Sequence, residues 1–408
     1  MAITDKEQGV WDVDQVYNKI NQGGIWEYTG APGEPGGLWQ TRSNWYGRLG
    51  DGTTGMPTGT PAPLTNYSSP VMAPGTYTTS WSNIFTSKAR GNDGTLWSWG
   101  YNNGGQLGLN DTVSRSRPVQ VGTNTDWTDV YEYHGRKSDG TIWAIGGWNT
   151  YGQLGLNQYN IHQSSPTQVG TDTTWTNEVN ATPQLTSWIK TDGTLWMWGY
   201  SQYGELGLNQ SGNVWYSSPT QLPGWTTFSK MVITGPTING GITTPGTLYM
   251  WGNNRYGQLG LNQGPSRYPW QPWFTQNHHD KSAPNAVPGN WAYVQAYQNT
   301  TLATKTDGTL WYWGYGGAWN GAGPTAPTSK SSPTQVGTDT TWTGKIWHNG
   351  DSSAAVKTDG TVWAWGSNPS GSLGHNDTTT YSSPKQIPGT NWTSLEYSTR
   401  SIALIKPG

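Results

Sequence analysis

The chain has 408 residues, a net charge of −2 and no cysteine. Charged residues make up 11%, against ~25% in an ordinary globular chain, while 28 Trp, 22 Tyr and 57 Gly are far above usual frequencies. This excludes disulfides, thiolate metal sites and cysteine catalysis, argues against a nucleic-acid partner held by a basic surface, and leaves short strands with tight turns as the expected structure.

Residues 1–34 form an N-terminal arm and linker. The opening M-A-I-T-D-K-E-Q lacks the apolar core of a secretion signal, and no run of ~18 apolar residues follows anywhere, so a protein made in a cytoplasm without membrane insertion is expected. Val10, Val13, Val16, Tyr17 and Ile20 recur at helical spacing, Asp12 with Gln15 suits a capping box, and Gly23-Gly24 ends the run. A short extended piece, Ile25 to Tyr28, leads into a Gly/Pro linker. A helix of about nine residues is not stable alone. Trp11, Val13, Val16, Tyr17, Ile20, Trp26 and Tyr28 therefore need a surface, either on the same chain or on another subunit.

Residues 35–408 read as one repeat array. D-G-T-L-W-x-W-G is complete from Asp93, Asp192 and Asp307, has Val362 in the copy from Asp359, and carries Ile142 and Ile145 in the copy from Asp139. Weaker copies stand at Pro245 to Gly252 and at Gly37-Leu38-Trp39. G-Q-L-G-L-N follows at Gly105, Gly152 and Gly257, with Glu205 for Gln in the copy from Gly204. S-S-P comes next, ending at Pro70, Pro166, Pro219, Pro333 and Pro384, with variant copies at Pro118 and Pro284. A lone Trp closes each unit, at 81, 127, 175, 225, 291, 342 and 392. The markers count seven units, spaced 46 to 62 residues apart, which suits four-stranded blades of a β-propeller. Asp-Gly makes the turn; strand alternation then sends Leu, the variable residue and the final Gly to one sheet face and both Trp to the other, where they fill the space between blades. Lys137, Lys190, Lys305 and Lys357 precede the turns and read as solvated strand ends.

The C-terminal Ile402 to Lys406 matches the strand before each Asp-Gly turn, as in Ala354 to Lys357, and lacks its successor. That successor is present as Gly37 to Gln40. The expectation is an all-β, seven-bladed propeller closed by pairing N- and C-terminal strands in one blade, which removes the open edge.

These motifs resemble the regulator-of-chromosome-condensation repeat family over roughly residues 35 to 408. The resemblance implies a seven-bladed propeller and no single activity, since such members include a nucleotide exchange factor for a small GTPase, a plant ultraviolet-B photoreceptor and a bacterial inhibitor of β-lactamase. The photoreceptor's G-W-R-H-T motif has no counterpart here. The arm, G-V-W-D-V-D-Q-V-Y-N-K-I-N-Q-G-G-I-W-E-Y, is similar to the opening segments of virion proteins from tailed phages of aquatic bacteria, cyanophage-like in character.

Insertions concentrate between G-x-L-G-L-N and S-S-P: about fifteen residues from Thr53 to Tyr67, six from Gln158 to Gln163, and nineteen from Gln263 to Lys281. Equivalent loops share one face. The longest carries Tyr268, Trp270, Trp273, Phe274, His278 and His279, expected either to contact a protein or glycan or to pack as a lid. No H-E-x-x-H, G-x-S-x-G or phosphate-binding loop occurs, so no enzyme, metal or cofactor is expected. The sequence reading is a non-enzymatic virion component, a tail or particle-surface protein, bound to other virion proteins through the arm and to host-surface protein or glycan through the loop face. A soluble protein-binding propeller, inhibitor or adaptor, is the alternative, and a carbohydrate-active enzyme a third.

Overall fold

A computed structural model describes residues 87–210, 212–225, 227–232, 235, 237–263, 279–297, 299–315, 329–368, 373–375 and 377–388, with Trp39–Gln40, Val71–Met72, Trp81–Phe85, Ser394–Glu396 and Ala403–Ile405 as backbone strands. The arm, the loop from Thr53 to Tyr67 and the segment 264–278 lie outside the described residues. Among the described residues every regular element is a strand and every pairing is antiparallel.

The repeat makes one sheet each time. Trp81–Phe85, Lys88–Gly91, Leu96–Gly100 and Arg115–Gln120 form the first, in chain order. Trp127–Val130, His134–Lys137, Ile142–Ala144 and Thr167–Gln168 form the second; Trp175–Ala181, Leu185–Lys190, Leu195–Ser201 and Val214–Gln221 form the third. The fourth joins Phe228–Met231, Ile238–Thr243 and Thr247–Gly252 to Lys281–Tyr297. That long strand also opens the fifth, with Thr300–Lys305, Leu310–Gly314 and Lys330–Gln335. Trp342–His348, Ser352–Lys357, Val362–Gly366 and Tyr381–Gln386 make the sixth. Two pairs remain at the ends: Trp39–Gln40 with Val71–Met72, and Ser394–Glu396 with Ala403–Ile405.

The Asp-Gly turn is locked by its own side chains. Asp192 Oδ1 accepts from the Thr194 backbone N–H at 2.9 Å and from its hydroxyl at 2.7 Å, and Thr194 Oγ1 accepts from Trp196 Nε1 at 2.9 Å. The same relay joins Asp93, Thr95 and Trp97, then Asp139, Thr141 and Trp143, Asp307, Thr309 and Trp311, and Asp359, Thr361 and Trp363. Gly94 has φ 80°, and a Cβ there would sit 1.9 Å from the Thr125 carbonyl oxygen, so the position admits only glycine. The close approach is used: Trp127 N–H donates to Gly94 O at 3.1 Å, and Trp342 N–H to Gly308 O at 3.0 Å, tying each sheet to the one before.

The core lies between sheets. Ile189, Leu195, Met197, Leu206 and Leu222 of the third sheet pack against Phe228, Met231 and Trp251 of the fourth. Ile142, Ala144, Leu154 and Val169 of the second meet Trp175, Trp188 and Trp198 of the third. Each unit thus presents an aliphatic face to its successor and an aromatic face to its predecessor, as strand alternation predicts. The second motif Trp is the deepest: Trp99, Trp198, Trp251, Trp313 and Trp365 are fully buried. Truncating one to alanine costs on the order of 3–5 kcal/mol.

The four lysines correct the sequence reading. They are clamped, not solvated. Lys190 Nζ lies 3.6 Å from the Trp196 ring centroid and 4.6 Å from that of Trp175, and pairs with Asp172 Oδ2 at 2.5 Å. Lys357 sits between Trp363 and Trp342 and pairs with Asp339; Lys137 sits between Trp143 and Trp127 and pairs with Asp126. Lys305 takes the same place between Trp311 and Trp291. Two π faces, joined by a carboxylate at Lys137, Lys190 and Lys357, hold a cation that a strand end would leave in water; each cation–π contact contributes about 0.5–2 kcal/mol.

The clamp has a pH signature. The hydrogen bond from Lys357, with that from Thr341, holds the Asp339 carboxyl down at about 2. Burial presses His134 and His348 down to about 4, favouring their neutral forms. The unfolded chain therefore binds protons first in both cases. Stability supplied by the two histidines is full above ~6.5 and lost as pH falls through about 4; that supplied by Asp339 is full above ~4 and lost as pH falls through about 2. Urea unfolding across this range should show two descending steps, and Lys357→Met should shrink the lower one. An unchanged lower step would contradict the clamp.

Candidate binding face

Where it is described, the G-x-L-G string at the exit of the third strand folds into a compact turn. A buried Asn is its hub: Asn149 Oδ1 accepts from Leu154 N–H at 3.0 Å, and Asn102, Asn254 and Asn368 do the same for Leu107, Leu259 and Leu373. The string's Gln braces the opening of the turn, with Gln153 Oε1 accepting from Tyr151 N–H and Gln258 Oε1 from Tyr256 N–H. In the third sheet Ser201 and Glu205 replace Asn and Gln. Glu205 Oε2 accepts from Ser201 Oγ and from the N–H groups of Gln202 and Tyr203, and burial raises its pKa. The closing Asn takes positive φ, which Asn tolerates better than most residues. Asn157, at φ 58°, donates its N–H to Ser217 O of the next sheet at 2.7 Å; Asn209 reaches Ser282 O and Asn262 reaches Ser331 O alike. The S-S-P element is the receiving half of this inter-sheet staple.

Aromatic rings stand on these rigid turns and on the strand Val214–Gln221 beside them. Trp148 is 45% exposed, Tyr151 36% and Trp215 48%. Tyr151 of the second sheet stacks on Tyr200 of the third at 4.8 Å between centroids, with Trp215 beside Tyr200 at 6.5 Å. Trp148 lies against Gly104 of the first sheet and meets His162 edge-on at 4.5 Å. Further along, Tyr256 meets exposed Tyr315 at 5.1 Å. The Gln158 to Gln163 loop adds exposed Tyr159 and Ile161, and is held by Asn160 N–H donating to Asn149 O at 2.8 Å. The result is an aromatic strip crossing successive sheets, with the Arg255 guanidinium 5.6 Å from the Tyr256 ring centroid.

Of the residues singled out from sequence, His279 alone is described. It is exposed on this same face, next to Asp280, whose Oδ1 accepts from Asn254 N–H at 2.7 Å. Tyr268, Trp270, Trp273, Phe274 and His278 lie outside the described residues, as do Trp11, Val13, Val16, Tyr17, Ile20, Trp26 and Tyr28. Trp148, Tyr151, Tyr200 and Trp215 were not singled out. For Tyr200 and Tyr151 the signal was an aromatic residue directly after W-G or directly before G-x-L-G, outside the packing positions; Trp148 and Trp215 follow no such offset. Among the described residues no three His, Asp or Glu side chains are placed to hold a metal.

The model of the Regulator of chromosome condensation (RCC1) repeat matches residues 93–131, 192–234, 245–289 and 359–397. The chain is similar to the Ultraviolet-B receptor UVR8 of Arabidopsis thaliana, 25% identical over 234 residues, covering 55% of this chain and 50% of that protein. It is also similar to the Secretion-regulating guanine nucleotide exchange factor of Bos taurus, 26% identical over 239 residues, covering 56% and 48%. The chain thus spans about half the length of these curated relatives. Among solved structures, Prp20p of Saccharomyces cerevisiae superposes with a TM-score of 0.64 at 16% identity, covering 88% of each chain.

Proposed function

We propose that the chain, an all-β propeller of regulator of chromosome condensation repeats, is a non-enzymatic protein-binding module whose partner seats on the aromatic strip of the loop face. The exposed, pre-stacked rings of Trp148, Tyr151, Tyr200 and Trp215 carry this reading. Large rigid rings held by a braced turn bury much area at little entropic cost, and aromatic residues dominate interface hot spots. The comparisons support a protein partner: one relative is a guanine nucleotide exchange factor, and Prp20p was characterised for binding Gsp1p and histones. Among the described residues, many of the acids are engaged in Asp-Gly turns, under the clamped lysines, or in the turn of Glu205.

Trp148→Ala and Trp215→Ala should each weaken partner binding by on the order of 2 kcal/mol. Melting temperature should stay unchanged, since both rings are surface residues. The readout is photo-crosslinking from the strip followed by mass spectrometry. Crosslinked partners that persist unchanged in both variants would overturn the assignment.

A second reading is that the module is displayed on a phage particle, anchored by residues 1–34; the aromatic, virion-like composition of that arm motivates it. With it goes a seventh blade, completed by the two strand pairs at the chain ends. Two deletions separate these ideas. Removing residues 1–34 should abolish particle incorporation and leave melting unchanged, whereas removing 37–72 should lower the melting temperature of the whole propeller. Incorporation without the arm contradicts the anchor; unaltered melting without residues 37–72 contradicts the closure.

A further inference from the structure

Between the second and third sheets the loop face opens into a cleft of about 420 Å³. It is lined by Asn157, Gln158, Gln163, Thr167, Gln168 and Ser218, with backbone at Gly155 and Gly170. The cleft arises from the staple. Asn157 N–H is pinned to Ser217 O at its base, and Ser218 Oγ donates to Asn157 Oδ1 at 3.1 Å. The six-residue insertion then leaves the sheet at Gln158 and rejoins it at Gln163, whose backbone pairs with Gly147 in both directions, at 2.8 and 3.1 Å. The side chains at both ends of the insertion thereby become walls. Gly170 has no atom within 4 Å of a notional Cβ, so that side is open to solvent.

The chemistry of this lining is narrow. Ordinary small-molecule pockets are mostly apolar with a few polar anchors. Here carboxamides and hydroxyls supply six of the ten lining residues, and no ionisable side chain lines the cleft. A charged ligand would lose hydration without a counter-charge to replace it. A carboxamide offers two donors and an acceptor with two lone pairs, and matches a group that donates and accepts at once. A sugar hydroxyl is such a group, and neighbouring hydroxyls on a ring suit amides set side by side. Leu156 and Pro219 complete the lining with apolar surface of the kind that covers the C–H face of a pyranose.

We infer that this cleft is a binding site for a neutral saccharide, held by the carboxamides of Gln158, Gln163 and Gln168 beside the apolar surface of Leu156 and Pro219. It is independent of the protein-binding strip, because Trp148, Tyr151, Tyr200 and Trp215 do not line it.

The test titrates the full chain with maltotriose, mannotriose, galactotriose and chitotriose, read by saturation-transfer NMR and calorimetry. At least one should bind with Kd in the millimolar range or below, which a shallow, polar site supports. The double variant Gln163→Ala/Gln168→Ala should lose roughly tenfold or more of that affinity with unchanged melting, because the pairing of Gln163 with Gly147 is through the backbone. Trp148→Ala should leave saccharide binding intact. The proposal is overturned if no member of the panel binds, if the double glutamine variant binds equally well, or if a sialylated or sulfated trisaccharide competes the neutral one from the site with higher affinity.

Discussion

An indole ring from one sheet, seated on the aliphatic face of the sheet before it, is the contact on which the rest of this molecule depends. Trp198 Nε1 donates to Gln153 O at 2.9 Å, Trp251 Nε1 to Glu205 O at 2.7 Å, and Trp313 Nε1 to Gln258 O at 2.8 Å. Each acceptor belongs to the preceding unit's G-x-L-G string. The second glycine of that string makes room: a Cβ at Gly155, Gly207 or Gly260 would stand 2.9 Å from the incoming Nε1. A single contact thus satisfies a buried donor, fills the space between sheets and fixes the turn that faces outward. It explains why Trp and Gly rise together in the composition.

The outer end of the same interface is sealed differently. There the partly exposed first Trp is tethered to its Thr, and with the lone Trp it encloses a lysine cation. Charge is scarce in this chain, and much of it is spent in these places, in clamps and turns. The loop face carries part of it too, as the Asp111–Arg115 and Asp377–Lys385 pairs. Its rings and carboxamides stand on turns that cannot shift without breaking an inter-sheet staple, which pre-organises them for contact.

Much of the fold was legible in the sequence because its determinants are local and repeated. Asp-Gly-Thr, the alternation of Leu and Trp, and the recurring glycines each report a backbone or packing requirement that six described sheets then meet. The lysines were misread because a cation before a turn usually faces water. Its enclosure depends on two Trp from different strands, a relation that spacing alone does not display. The aromatic strip was missed for a related reason. Tyr151 and Tyr200 lie in different repeats and become neighbours only when the sheets dock, so neither stood out among 22 Tyr. Loop length is written in sequence, whereas side-chain adjacency across sheets is not.

Hydrogen exchange at individual indole and amide protons, followed by NMR under native conditions, tests the central claim most directly. If the Trp contact seals the sheets into one cooperative body, the indole protons of Trp198, Trp251 and Trp313 should exchange only through global unfolding, with the same free energy as the amides of their own central strands. Indole protons that exchange orders of magnitude faster than those amides would show the sheets parting while each remains folded, and would contradict the account.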